Sequence, residues 1–243
     1  MLVSVLETDL ERKMKTTIVA FALLSLTVGS FAAPITRWDF NTYDGQGTTG
    51  TLAPALGTGS IAAIGGVSSF FGFGSGSTDP AGASENSAWG NGNLPLQGTG
   101  SGTGGYEGHV STAGYSSITV TFDIRTQFSS SKYYQLQYQT SAVGPWNSAG
   151  TFGVATEDHW ETRTTNISSL DAAANNNSQF GFRVVAVFKP GTSQYAGMSD
   201  TSGSYGRFGI LSDMVTVSGQ VVPEPTSLVA MAFAGCMLIR RRK

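Results

Sequence analysis

Four apolar residues at alternate positions, Ile118, Val120, Phe122 and Ile124, with Thr119, Thr121 and Asp123 between them, constrain this chain more than any other stretch. Successive side chains of a strand point to opposite faces, so a period of two with one apolar set predicts a strand half in a core and half in water. The pattern recurs. Tyr134, Leu136 and Tyr138 alternate with Gln135, Gln137 and Gln139, and Phe180, Phe182, Val184, Ala186 and Phe188 share one face. Trp160, Thr162 and Thr164 alternate with Glu161, Arg163 and Thr165, and Met214 to Val217, preceded by Arg207-Phe208, gives a last strand. Turn residues separate these runs at Gly144-Pro145, Ala174 to Asn177 and Pro190-Gly191. Ser168 to Ala174 has room for one or two helical turns. Many strands at close spacing, without a long helix, predict an all-β antiparallel sandwich.

The half before Ser117 reads differently. Residues 44–108 are dominated by Gly, Ser, Thr, Asn and Ala, as in Gly98 to Gly105. Glycine at this density disfavours helices, shortens strands and lengthens loops. Apolar islands interrupt it at Ile61 to Ile64, Val67 to Phe73 and Ala88-Trp89. These are read as short strands, because a flexible linker would not carry Phe70, Phe71 and Phe73 together. No fixed-period repeat is present.

Both ends read as addresses. Lys15 opens a short basic region, Ile18 to Val28 is apolar, and Ser30-Phe31-Ala32 supplies small residues at a cleavage site, the order of a secretory signal peptide. Cleavage after Ala32 is favoured, since a cut after Ala33 would put Phe31 where a small residue is needed. Met14 fits such a peptide as its start better than Met1, because MLVSVLETDLERK places acidic and apolar residues wrongly. At the other end come Pro223-Glu224-Pro225, an apolar run from Leu228 to Ile239, and Arg240, Arg241, Arg242 and Lys243. Prolines flanking one residue isolate the run from what precedes it. The run reads as a short apolar helix, below the roughly 20 residues that span a bilayer, and snorkelling arginines close part of the gap. Its basic end should stay cytoplasmic, leaving the body outside. This tail resembles the PEP-CTERM sorting signal. The resemblance implies an exosortase-type sorting enzyme as partner and transient anchoring of the C-terminal helix in the inner membrane. The expected division is a signal peptide over 1–32, a body over 33–221 and a sorting segment over 222–243. The product is expected to be exported to the cell envelope or beyond.

From Pro34 to Val222 there are seven Lys/Arg and twelve Asp/Glu, so the body is acidic although the whole chain carries a formal charge of only −2. A mildly acidic body without a basic patch argues against nucleic acid. It holds no cysteine, the single one being Cys236 in the apolar tail, so disulfides do not fasten it. Catalytic signals are sparse. His109 and His159 belong to no cluster with metal-ligand spacing, no GxSxG elbow occurs, and the glycines of 98–105 do not lead a strand into a helix. The densest ionisable run is Glu157, Asp158, His159 and Glu161. Its two glutamates could serve as glycosidase carboxylates only about 5–9 Å apart, and neighbours on a strand point to opposite faces. The expectation is no enzyme.

Sugar rings stack on exposed aromatic faces, which makes the four tryptophans candidates. Trp38 and Trp160 fall in strand patterns and are read as core. Trp146, in the turn after Gly144-Pro145, is the foremost candidate for glycan contact. Trp89 and Tyr195 join it, and Tyr106 and Tyr115 also lie in loops. The runs ITVTFDIR (118–125), YYQLQYQTS (133–141), WETRTTNIS (160–168), FGFRVVAVF (180–188) and RFGILSDMVTVSG (207–219), with Arg37 to Asn41 as a first strand, resemble jelly-roll, galactose-binding-like domains of exported bacterial proteins. That resemblance implies the fold and a tendency toward polysaccharide. It also implies a structural Ca²⁺ tying first strand to last, with Asp39, Asn41 and Asp213 as its ligands; the other reading of these three is surface polar residues at strand ends. Two functions follow: a non-catalytic envelope or matrix protein associated with extracellular polysaccharide, or a carbohydrate-binding module or carbohydrate-active enzyme.

Overall fold

A computed structural model describes residues 32–222. The signal peptide before Ala32, and the sorting residues Pro223, Glu224, Pro225, Arg240, Arg241 and Arg242, lie outside the described residues. Among the described residues no helix is long and apolar enough to cross a membrane.

Eleven strands form two antiparallel sheets. β1 (Ala33–Trp38), β3 (Ser68–Phe73), β4 (Ser87–Gly92), β6 (Tyr115–Thr126), β9 (Glu161–Asn166) and β11 (Ile210–Val221) make the first. Its order is β3-β4-β11-β6-β9, with β1 beside the C-terminal half of β11 and β4 beside the N-terminal half. The second runs β2 (Ser60–Ile64), β5 (Gly105–Val110), β10 (Phe180–Ala186), β7 (Tyr133–Gln139) and β8 (Asn147–Gly153). The expected helical piece is two single 3₁₀ turns, Ile167–Ser169 and Ala172–Ala174, each capped by the side chain before it, Asn166 and Asp171.

The period-two residues do what the sequence predicts. Ile118, Val120, Phe122 and Ile124 point inward from β6, Phe180, Phe182, Val184 and Ala186 from β10, and Tyr134, Leu136 and Tyr138 from β7. Aromatic pairs fasten one sheet to the other: Trp38 to Phe182 at 6.3 Å, Trp89 to Tyr106 at 5.5 Å and Phe122 to Phe152 at 5.8 Å between ring centroids. Such pairs add about 0.5–1.5 kcal/mol each beyond the area they bury.

β11 is the longest seam. It pairs with β6 along most of its length, and Asp213 stands opposite Asp123 on the outward side. The 74–86 segment joining β3 to β4 folds over that outward side as a strap, while the outer face of the second sheet is covered in part by the glycine-rich loop around Gly102, beside Gln137, and keeps Glu107, His109, Gln135 and Arg183 partly exposed.

Candidate functional site

The outer face of the second sheet gathers side chains from three strands. Register sets Glu107, Arg183 and Gln137 in one row and His109, Gly181 and Gln139 in the next. Trp146, in the turn leading into β8, folds back over them. The Arg183 guanidinium lies over its ring, 4.5 Å from the centroid, and His109 meets it edge-on at 6.3 Å. Cation–π contact of this kind is worth about 0.5–2 kcal/mol, most where water is excluded. Arg183 also donates from Nε to Gln137 Oε1 at 2.5 Å. Gln137 donates on to Gln135, and Gln135 Nε2 to Thr151 Oγ1 at 3.1 Å. Glu107 faces His109 across 3.5 Å. Burial pulls the Arg183 guanidinium below its ordinary value, and Glu107 pulls it back. At the end of this face His109, Ser111, Ala142, Ser178 and Gln179 line an open pocket of about 270 Å³.

Of the three expected glycan contacts, Trp146 alone is partly exposed. Trp89 is 1 % exposed, locked between Phe40 and Tyr106, and Tyr195 is fully buried, edge-on to Phe188 and stacked on Tyr205, each at 4.7 Å between centroids. Neither can touch a polymer; both are core. Tyr106, expected in a loop, is buried in β5. Trp160 departs the other way. It stands outside β9, half-buried, and donates from Nε1 to Ser75 O at 3.0 Å, clamping the strap.

The side chains of Glu161, Asp158 and His159 in the ionisable run near residue 160 are each engaged by other partners. Glu161 Oε1 accepts from the backbone N–H of Ala155 and Thr156, and its other oxygen takes Arg163. Asp158 pairs with Arg125 at 3.5 Å, and His159 Nδ1 bonds the carbonyl of Glu157.

Under the strap lies a second polar site. Asp39, Asn41, Asn86, Asp123 and Asp213 are all buried there. Asp213 Oδ2 accepts from Ser77 Oγ at 2.6 Å, and Asp123 Oδ2 from the backbone and hydroxyl of Thr78 at 2.6 and 2.7 Å. Asn41 donates to Asp79 at 2.7 Å, and Asp39 accepts from Tyr43 at 3.2 Å. The three residues expected to ligate Ca²⁺ are all buried but are held by different partners: Asp39 by Tyr43, Asn41 by Asp79 and Asp213 by Ser77. The described residues contain no group of three acidic or histidine side chains set to hold a metal. Three oxygens of different kinds come close there: Asp213 Oδ2, Ser77 Oγ and Asn86 Oδ1. The last has no hydrogen-bond partner, although Asn86 is 2 % exposed. A Cβ added at Gly74 would stand 1.7 Å from Asn86 Oδ1 and 2.9 Å from Asp213 Oδ2, which puts the two oxygens side by side. Burial, with the Asp79 and Asp123 carboxylates adding to it, pushes Asp213 up to about 8. These oxygens are the kind that a hard divalent cation takes.

No protein-family model matches the chain, and no curated protein matches it in sequence. Among solved structures it is similar to the K1 cleaved adhesin domain of Lys-gingipain from Porphyromonas gingivalis W83, at 12 % identity and TM-score 0.40, covering 79 % of this chain and 98 % of that one. It is also similar to the CBM22-1 xylan-binding domain of Xyn10C from Paenibacillus barcinonensis, at 11 % identity and TM-score 0.47, covering 81 % and 100 %. A third is the family 11 carbohydrate-binding module of Clostridium thermocellum, at 11 % identity and TM-score 0.36, covering 79 % and 100 %. At these scores and identities the likeness says nothing of what this chain binds.

Proposed function

We propose that the body is a non-catalytic polysaccharide-binding β-sandwich, exported by its N-terminal signal and sorted through its PEP-CTERM tail by an exosortase-type enzyme. One observation carries the binding part: Trp146 stands partly exposed on the outer face of the second sheet, fixed by Arg183 and met edge-on by His109, with Glu107 beside His109 and Gln137 beside Arg183. An aromatic face suits the C–H side of a sugar ring, and the side chains around it offer donors and acceptors for its hydroxyls. The test is affinity electrophoresis of the purified chain in gels holding xylan, mixed-linkage β-glucan or alginate. Retardation in at least one gel, markedly weakened in Trp146→Ala, is expected. Equal retardation of parent and variant refutes this face as the site, and release of reducing sugar by the parent refutes the non-catalytic part.

We infer further that the chamber under the strap takes Ca²⁺, with Asp213, Asn86 and Ser77 among its ligands. Several buried carboxylates without a basic partner are costly unless something neutralises them. The unpartnered Asn86 Oδ1 beside Asp213 supports a cation. Bound there, Ca²⁺ would fasten the strap to β11 and β6.

A further inference from the structure

A second aromatic groove opens on the outer face of the first sheet, at the end of the sandwich away from Val222. Phe70 and Phe208 line it, with Ser68, Asn93 and Arg207 at its rim, and its volume is about 350 Å³. The two rings are 43 % and 50 % exposed. Phe70 has a reason to lie as it does. It pairs with Gly90 across β3 and β4, and a Cβ at Gly90 would stand 2.3 Å from Phe70 Cζ. Only glycine there lets the ring lie down on the β4 backbone, one face on the sheet and the other to solvent. The rim is held under strain. Asn93 and Arg207 both occupy the left-handed region, at φ 56° and 64°, which residues other than glycine rarely adopt. Arg207 Nε donates to Leu94 O at 2.5 Å, and Leu94 N donates back to Arg207 O at 3.1 Å, so the two loops are tied together.

We propose that this groove is a second saccharide subsite, and that the chain cross-links two polysaccharide strands; the proposal rests on the polysaccharide-binding reading of the Trp146 face. Flat aromatic faces with an amide, a guanidinium and a hydroxyl at the rim suit a pyranose ring. The volume is that of a small-ligand pocket, about 300–1,000 Å³. A stable protein interface needs roughly 800 Å² on each partner. The two sites lie on opposite outer faces of a two-layer sandwich, so one polymer strand cannot fill both without wrapping an edge. Two strands can, one on each side.

The experiment uses the full chain and the best-retarding polymer among xylan, mixed-linkage β-glucan and alginate. Two quantities are read: retardation in the gel, and the viscosity of the polymer solution after adding protein. The parent is expected to raise viscosity. Phe70→Ala and Phe208→Ala should each weaken retardation about three- to tenfold and abolish the rise in viscosity, while Phe70→Trp should restore both. Trp146→Ala should abolish the rise as well but keep residual retardation through the groove. Both rings are half-exposed, so these variants are expected to keep the circular dichroism of the parent. If Phe70→Ala and Phe208→Ala behave as the parent while Trp146→Ala loses all binding, the groove is no subsite and the first reading stands. No retardation of the parent by any polymer overturns both. A parent that sediments as a dimer, and as a monomer after Phe208→Ala, makes the groove a contact between copies and overturns the inference.

Discussion

The outer faces of the two sheets are built from the same period-two pattern and are covered to different degrees. On the second sheet Gln135 and Arg183 stay partly exposed, Gln137 is covered to 8 % exposure, and Arg183 lies under Trp146. On the first sheet the polar set of β6 and β11 is roofed by the 74–86 strap, so Asp123 and Asp213 are 1 % and 0 % exposed. A polar residue on a strand's outward side is therefore a promise of water only if nothing folds over it. Where a loop does, carboxylates must find donors, a proton or a cation. The strap-covered part of the first sheet serves the fold; a ligand can be served only where a sheet face stays accessible.

The largest effect tests whether both faces stand on one core. Phe182 is fully buried between the sheets, against Trp38 and over Gly108, where a Cβ would meet its ring at 2.6 Å. Phe182→Ala should cost about 3–5 kcal/mol of stability in urea unfolding. A loss under about 1 kcal/mol would mean that the sandwich does not share this core.

Ca²⁺ should separate the two faces. Added at a hundredfold excess over its dissociation constant, it should stabilise the chain by about 2.7 kcal/mol, read as a rise in Tm that EDTA reverses. Asp213→Asn should remove that rise, and Trp146→Ala should leave it intact. A Tm indifferent to Ca²⁺ and EDTA in the parent would leave the chamber to its hydroxyl and amide donors alone.

Trp146→Ala should do the reverse. Its ring is partly exposed and carries the Arg183 contact, so stability should fall by about 0.5–2 kcal/mol, less than for Phe182→Ala. Retention by the best-binding polymer should fall about tenfold, equivalent to roughly 1.4 kcal/mol. A variant that loses stability and keeps binding would turn Trp146 into a pin for the β7–β8 turn.

The sequence was most legible where the strand itself supplies the core. β6, β7 and β10 carry their own inward aromatics and aliphatics, and their alternation survives in the structure. β5 and β8 were not legible, because β5 reads GYEGHV and β8 reads NSAGTFG. At Gly108 the core volume comes from the neighbouring Phe182 ring, and no periodicity within β5 could reveal that. Tyr195 looked like a loop aromatic; its loop turns inward onto Phe188 and Tyr205, a tertiary fact. Within the candidate site, Trp146 was legible from the turn that precedes it. Arg183 and His109 were not, since they reach it only through the register that sets Gly181 opposite His109 and Arg183 opposite Glu107. Asp123 read as an ordinary polar-face residue, because nothing in β6 announces the strap above it.

The smallest effect concerns how the roof is fastened. Trp160 touches the strap in two ways: its Nε1–H donates to Ser75 O at 3.0 Å, and its ring meets the space above Gly76, where a Cβ would stand 3.3 Å from Trp160 Cδ1. Arg125 lies on the same ring, 5.3 Å from the centroid, and is itself turned to Asp158. Trp160→Phe keeps an aromatic body and deletes the donor. A lost hydrogen bond of this kind costs about 0.5–1.5 kcal/mol, and solvent reaches this one, so the lower end is expected. Global unfolding should barely register the change. Hydrogen exchange should, because the Thr78 amide is held by Asp123 only while the strap lies down. Faster exchange at Thr78 and Asp79, with Gln137 and Arg183 unchanged on the opposite face, is the expected result. Equal acceleration on both faces would mean that strap and open sheet loosen together and that their difference is one of appearance alone.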